Sequence, residues 1–440
     1  MNHSLLFLSQ YFWPEETATA EMLSGVAFEL AARGFRVEAI AGQPAYHRAE
    51  RLLRRLEERG VVVRRIRSTR FDKNRSLGRV LNTATFAGSA LASTVMRRRP
   101  SVLLAATTPP LLPWVARLNH RLRGTPYVLL IQDVYPQIAV ALGRLRAGSA
   151  VARFWRRLNR RAYRGAAAIV ALGECMAEVL RSELPPDRQS KVVAIPNWAN
   201  GDAIRPRPRE QHPLLAEWQL ATRFVVQYSG NIGLFHDIET VLAAADWLRG
   251  SNVHFLFLGD GGQLPGLRRA VEERRLPNVT LLPFQPRERL PLTLTACDVG
   301  LVTLKEEATG FCVPSKLYGI LAAGKPVLAV MNRRCEVARV VLRYDCGAVV
   351  PPGDGETLAA EILHLKSDQA LRLQMGWAAR RAYEEHYTLH AVADQYVEMI
   401  GRLVGEEPAA EPSVEMADSG SVGTGPERSF DASTIQERLK

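Results

Sequence analysis

A chain of 440 residues exceeds what one hydrophobic core usually organises, so two domains of about 200 residues are expected. Apolar residues make up 47% and charged residues 23%, which excludes a disordered, collagen-like or wholly membrane-embedded protein. The net charge of +12 is uneven: residues 1–200 carry +17, residues 201–404 carry zero and residues 405–440 carry −5. A basic half of this size attracts a polyanion, whether nucleic acid, an anionic bilayer face or a phosphorylated substrate.

The chain opens on the apolar run Leu5-Leu6-Phe7-Leu8 without a basic leader or a small-residue cleavage site, so a cytoplasmic location is expected. The longest charge-free apolar stretches, residues 80–96 and 100–116, contain Thr, Ser, Asn or Pro and fall short of the ~20 residues of a spanning helix. The five cysteines, Cys175, Cys297, Cys312, Cys335 and Cys346, are scattered and never form Cys-x-x-Cys. That pattern predicts a reducing compartment, with neither a disulfide framework nor a structural metal site.

In chain order, apolar strand patterns fall at residues 5–9, 37–41, 61–66, 102–105, 127–131, 168–172 and 192–195, with helical patterns between them. The first such helix is read from Met22, Leu23, Val26, Ala27, Leu30 and Ala31, and Gly34 ends it. After the first strand stands Tyr11-Phe12-Trp13-Pro14-Glu15-Glu16-Thr17 in place of a Gly-x-Gly-x-x-Gly turn, which removes a classical dinucleotide site. Glu15, Glu16 and Thr17 are either a plain helix start or acceptor-side residues of a cleft. The connector Arg205-Pro206-Arg207-Pro208-Arg209 reads as an interdomain linker. A second alternation follows at residues 224–229, 253–258, 279–282, 299–303, 327–330 and 348–350. Strand and helix alternating twice predicts an α/β protein of two tandem doubly wound Rossmann-like domains, spanning residues 1–200 and 201–404, with ligands in the cleft between them. The last helices of the second domain either stay on it or cross back to the first, and residues 405–440 read as a disordered acidic tail.

Three motifs in the second half carry chemistry. Gly230-Asn231-Ile232-Gly233 follows one strand, and Gly259-Asp260-Gly261-Gly262 follows the next; such turns let a backbone approach a ligand closely. The segment from Lys305 to Pro326 adds Glu306 and Glu307, then Pro314-Ser315-Lys316-Leu317-Tyr318. There Pro314 is expected in the first turn of a helix, with a hydroxyl, free amides and an ammonium gathered at its mouth to suit a diphosphate. Carboxylates in the preceding loop suit sugar hydroxyls.

Taken in order from residue 4 to 400, Gln10-Tyr11-Phe12-Trp13-Pro14-Glu15, Ser229-Gly230-Asn231-Ile232-Gly233, Gly259-Asp260-Gly261 and the Pro314–Tyr318 segment closing on Ala322-Ala323-Gly324-Lys325-Pro326 resemble family 4 retaining glycosyltransferases of GT-B fold. The similar subgroup is the colanic-acid and fucosamine-transferase-like enzymes of bacterial surface polysaccharide assembly. The resemblance implies a nucleotide-diphosphate sugar held by the C-terminal domain, an acceptor held by the N-terminal domain, retention of configuration and no metal or other cofactor. It implies donor-binding roles for Gly230, Asn231, Gly233, His236, Gly259, Gly261, Ser315 and Tyr318, and catalytic roles for Lys316, Glu306, Glu307 and Asp133. Where the broader family has a second glutamate this chain has Gly319, where it has an Arg and a Lys near the diphosphate this chain has Asn231 and His236, and a usual His-Asp pair is Gln132-Asp133.

Arginines cluster within residues 51–67, 97–99 and 153–164. They are read as facing an anionic membrane on which a polyprenyl-diphosphate-linked saccharide acceptor sits, making the protein peripheral to the inner face of the plasma membrane. Residues 80–96 are either an interfacial segment or an ordinary helix covering the sheet. A nucleotide-sugar epimerase of the same fold is the first competing reading, and a basic nucleic-acid-binding protein that uses the same arginines is the second. Nucleic acid is not an expected partner, since aromatics are only 7% and no recognition module is present.

Overall fold

The structure, a computed structural model, describes residues 3–43, 52–69, 71, 76–210 and 212–405. Arg51 and the acidic segment beyond Gly405 lie outside the described residues.

Eight strands form the first sheet: β1 (Ser4–Leu8), β2 (Arg36–Ala41), β3 (Arg55–Glu58), β4 (Val61–Arg65), β5 (Val102–Ala106), β6 (Tyr127–Leu130), β7 (Ala168–Ala171) and β8 (Val192–Ala194). Their order is β3-β4-β2-β1-β5-β6-β7-β8, parallel throughout except for the antiparallel pair β3–β4. The second sheet holds β9 (Phe224–Ser229), β10 (Val253–Leu258), β11 (Val279–Leu282), β12 (Val299–Thr303), β13 (Val327–Val330) and β14 (Gly347–Val350), all parallel in the order β11-β10-β9-β12-β13-β14. Central strands such as β5 and β13 are buried along their whole length because helices cover both faces, which is why they read as unbroken apolar runs. The added element is β3, whose Arg-Leu-Glu-Glu sequence carries no strand signal; charge at an open sheet edge discourages pairing with another chain.

β1 stands between β2 and β5, and β9 stands between β10 and β12. Each is therefore the strand at which its sheet's winding reverses, the place where doubly wound sheets open a crevice. The C-terminal helix Leu389–Val404 packs on the first sheet's side: Val392, Tyr396, Met399 and Ile400 share a core with Leu23, Val26 and Leu30 of the helix Ala18–Ala32. The segment 205–209 is tied to the second sheet rather than free, because Arg209 pairs with Asp298 at 2.5 Å and reaches the Leu220 carbonyl.

Residues 80–96 fall within and just beyond the helix Ser76–Val95, which lies on the first sheet with Phe86 and Ala90 buried and Leu91 packed against the core. The large apolar side chains it exposes are at its start, Leu77, Val80 and Leu81, and Met96 is exposed just past its end.

Candidate active site at the second sheet's edge

The two glycine turns meet backbone to backbone. Gly230 N donates to Leu258 O at 2.8 Å and Ile232 N to Asp260 O at 2.8 Å. Gly259 and Gly261 have φ of +148° and +153°, and a Cβ on either would overlap the carbonyl oxygen of Gly230 or Ile232. Only glycine fits there. These contacts revise the diphosphate cradle expected of this turn: the Gly230 and Ile232 amides are spent on the partner turn, which leaves those of Asn231 and Gly233, among the described residues, for a ligand.

Lys316 is the first residue of the helix Lys316–Ala322, with Ser315 as its N-cap. Pro314 thus precedes the cap instead of occupying the first turn, and the Ser315 hydroxyl makes no capping hydrogen bond. The Lys316 side chain reaches back across the glycine turn. Its Nζ donates to Asn231 O at 3.1 Å, lies 3.4 Å from His236 Nε2 and sits 4.7 Å from the centre of the Tyr228 ring. His236 is buried, and its Nδ1 is 2.7 Å from Thr303 O. A carbonyl only accepts, so Nδ1 carries the proton and the Nε2 lone pair faces the ammonium. Burial, reinforced by Lys316, lowers the His236 pKa to about 3, so the ring is neutral at pH 7. Burial also lowers Lys316 to about 8. The result is a half-buried ammonium with two of its three N–H groups held by this turn and one left for an anion. His236 therefore holds the lysine rather than touching a donor itself.

Glu306 and Glu307 sit in a single 3-10 turn, Glu306–Ala308, and both are exposed. They differ in what holds them. Glu306 Oε1 accepts from Asn332 Nδ2 at 2.5 Å, just past β13, while Glu307 projects from the middle of the turn. Asp133, from the loop after β6, pairs with Cys312 in an isolated bridge, and Val134 N donates to Phe311 O at 2.8 Å. The first sheet's edge is thereby brought onto the segment leading to Lys316. Burial raises Asp133 to about 6.

A family model described as Glycosyl transferase 4-like domain matches residues 17–198, and one described as Glycosyl transferases group 1 matches residues 216–382. WbjE of Pseudomonas aeruginosa, described as a glycosyltransferase, is 32% identical over 345 residues, covering 77% of this chain and 84% of that protein. The chain belongs to the GT-B glycosyltransferases of family 4 type. The glycosyltransferase is also 27% identical to WcaI of Escherichia coli, a colanic acid biosynthesis glycosyl transferase, over 84% of this chain and 93% of that one. Its fold matches Anabaena HepE, solved in complex with UDP-glucose, with a TM-score of 0.68, 17% identity and coverage of 91% and 100%.

Other expected site residues are placed elsewhere. Tyr318 is fully buried in the second domain's core, with its ring 5.3 Å from that of Tyr387, so it packs the glycosyltransferase instead of binding donor. Glu15 turns inward: its Oε1 lies 3.0 Å from Arg65 Nη1, and both side chains are almost completely buried. The same guanidinium donates to Gly42 O at 2.5 Å, Phe12 O at 2.7 Å and Trp13 O at 2.5 Å, so it ties β4 to the loops after β1 and β2. Thr17 is the N-cap of the helix Ala18–Ala32, its Oγ1 accepting from Ala20 N at 3.2 Å. Glu16 alone of the three is exposed. Arg65 is thus not one of the surface arginines expected within residues 51–67, and the alternation along β4, with Val61, Val63 and Arg65 inward, is the sequence signal of this. At Gly319 a Cβ would sit 3.1 Å from Leu294 Cδ1, so a side chain there would press on the helix Leu290–Thr295.

A second contact between the halves has no sequence signal. Glu336 Oε2 accepts from Cys175 N at 3.2 Å, at the start of the helix Glu174–Ser182, where a Cβ on Gly173 would overlap the carboxylate. One helical turn on, Arg339 grips Glu178 in a two-pronged pair at 2.9 and 3.1 Å. Burial raises the Glu336 pKa.

Proposed function

We propose that this glycosyltransferase moves a sugar, with retention, from a nucleotide-diphosphate donor to a saccharide carried on polyprenyl diphosphate, in the assembly of a cell-surface polysaccharide. The observation that carries the reading is the pair of interlocked glycine turns with Lys316 laid across them. A half-buried ammonium, beside the Asn231 and Gly233 amides, stabilises a departing diphosphate more than it stabilises the intact donor. In the step, the bond from the anomeric carbon to the diphosphate oxygen breaks, the acceptor oxygen bonds the same face of that carbon, and its proton passes to the released diphosphate. Glu307 takes donor hydroxyls, and Asp133 contacts the acceptor or the transferred sugar. The nucleotide-sugar class is supported by the UDP-glucose complex of HepE, and the polysaccharide setting by the colanic acid relative WcaI.

The membrane is the remaining part of the proposal. Among the described residues no helix is long and apolar enough to cross a bilayer. Exposed Leu77, Val80 and Leu81 on one helix and Val151 and Phe154 on the basic helix Ala150–Gly165 instead supply shallow apolar contact beside arginines, the composition of an interfacial surface.

Screening UDP-, GDP- and dTDP-sugars against a polyprenyl-diphosphate-linked saccharide tests the reading. NMR of the product should show the donor's anomeric configuration. An inverted product, or sugar interconversion without acceptor, overturns it, the latter in favour of an epimerase.

A further inference from the structure

The helix Ala150–Gly165 turns Asn159, Ala162 and Tyr163 inward and leaves six arginines exposed. Glu183 takes two of them, Arg156 Nε at 3.4 Å and Arg160 Nε at 2.5 Å. The other four, Arg153, Arg157, Arg161 and Arg164, recur at i, i+4, i+8 and i+11 and so lie along one stripe. Among the described residues none of these four has a carboxylate in ion-pair reach, and like charges at this spacing repel. A row of cations that works against its own helix is complementary to a polyanion supplied from outside it.

The chain itself brings one to the end of that row. The C-terminal helix finishes with Arg402 and Leu403 lining a cavity of about 210 Å³ together with Ala167, Ala168, Ser190 and Lys191. Lys191 Nζ donates to Ala166 O at 2.8 Å and Arg188 Nη1 to Arg164 O at 2.8 Å, so the rim of this cavity is the Arg164 end of the stripe. Beyond Gly405 the sequence places Glu406, Glu407, Glu411, Glu415 and Asp418 with no Lys or Arg among them. Extended, residues 406–418 reach roughly 43 Å. The helix is roughly 24 Å long, so the acids can follow the stripe to its far end. The tether also holds them near it at an effective concentration on the order of millimolar.

We infer that residues 406–418 dock along Arg153, Arg157, Arg161 and Arg164, as an internal polyanion that occupies the basic face. Resting on the membrane reading above, the same contact competes with an anionic bilayer for that face. In the test, a full-length chain with the five acids changed (Glu406→Gln, Glu407→Gln, Glu411→Gln, Glu415→Gln and Asp418→Asn) is compared with the native chain for capture of a fluorescent peptide of residues 405–420 at 50 mM salt. The changed chain should bind the peptide at least tenfold more tightly than the native chain, whose face is already occupied. Adding Arg157→Glu and Arg161→Glu to the changed chain should abolish capture, while an Arg117→Gln control keeps it. Equal capture by native and changed chains, or capture that survives reversal of the stripe, overturns the docking. A parallel arm uses vesicles of three parts phosphatidylcholine to one part phosphatidylglycerol. Tighter vesicle binding by the changed chain supports competition with the bilayer; peptide capture without vesicle binding by either chain retains the docking and removes the membrane reading.

Discussion

The loops after β1 and β9 occupy the same place in their two sheets, and they are built in opposite ways. After β9 the chain uses glycines, keeps side chains out and lets a second glycine turn pack against the first, so backbone and one half-buried lysine define the space. After β1 the space is filled from within, by Phe12 and the Glu15–Arg65 pair. An open crevice can receive a charged ligand, whereas a filled one can only support whatever binds above it. The Arg65 guanidinium even stands where an anion-binding group would be useful, but its donors are spent on Gly42, Phe12, Trp13 and Glu15. A cation is a ligand site only when its hydrogen bonds remain to be made.

Four measurements separate the two loops, from the largest effect to the smallest. Arg65→Ala should destabilise the protein by about 3–5 kcal/mol, because it leaves a buried carboxylate uncompensated. Urea unfolding measures this, and a loss under about 1 kcal/mol would mean that the first loop is not internally braced. Lys316→Ala should cost at least ~100-fold in transfer, equivalent to about 2.7 kcal/mol of barrier, with the urea midpoint almost unmoved. Near-normal turnover would remove the lysine from the diphosphate.

The third measurement is a pH profile. With Lys316 lowered to about 8, its ammonium is lost as pH rises through 8, so kcat/KM should fall tenfold per unit above that value. Lys316→Arg should move this limb out of the accessible range, since a guanidinium keeps its proton. The smallest effect is a contrast between two neighbours. Glu307→Gln should lower kcat/KM by about tenfold, the value of one hydrogen bond to a charged group. Glu306→Gln should change it by no more than about threefold, because its carboxylate is held by Asn332 and the amide can keep that bond. Equal effects would erase the distinction drawn from the structure.

Strand positions and the two-sheet architecture were legible because parallel strands covered on both faces must be apolar throughout. β3 was not, since an edge strand with three charged residues in four resembles a loop in sequence. The glycine turns and Lys316 were legible as motifs, but not the division of labour among them. That His236 is a neutral prop for the ammonium follows from Thr303 O lying 2.7 Å from its Nδ1, a contact across 67 residues. The burial of Tyr318 is not legible in the sequence, because one helix face looks toward the site and the next toward the core, and its ring lies in the core.

By itself, then, the sequence determined two doubly wound domains, the uneven charge and the glycine-lysine constellation, since these rest on periodicity, composition and spacing along the chain. The tertiary structure alone decided that Glu15 and Arg65 satisfy each other, that Glu306 is tethered while Glu307 projects freely from its turn, and that Glu336 reaches the helix at Cys175 in the other half. Each of those outcomes depends on which groups remote in sequence come within about 3 Å, the range in which a hydrogen bond is made or missed. No local pattern encodes that distance.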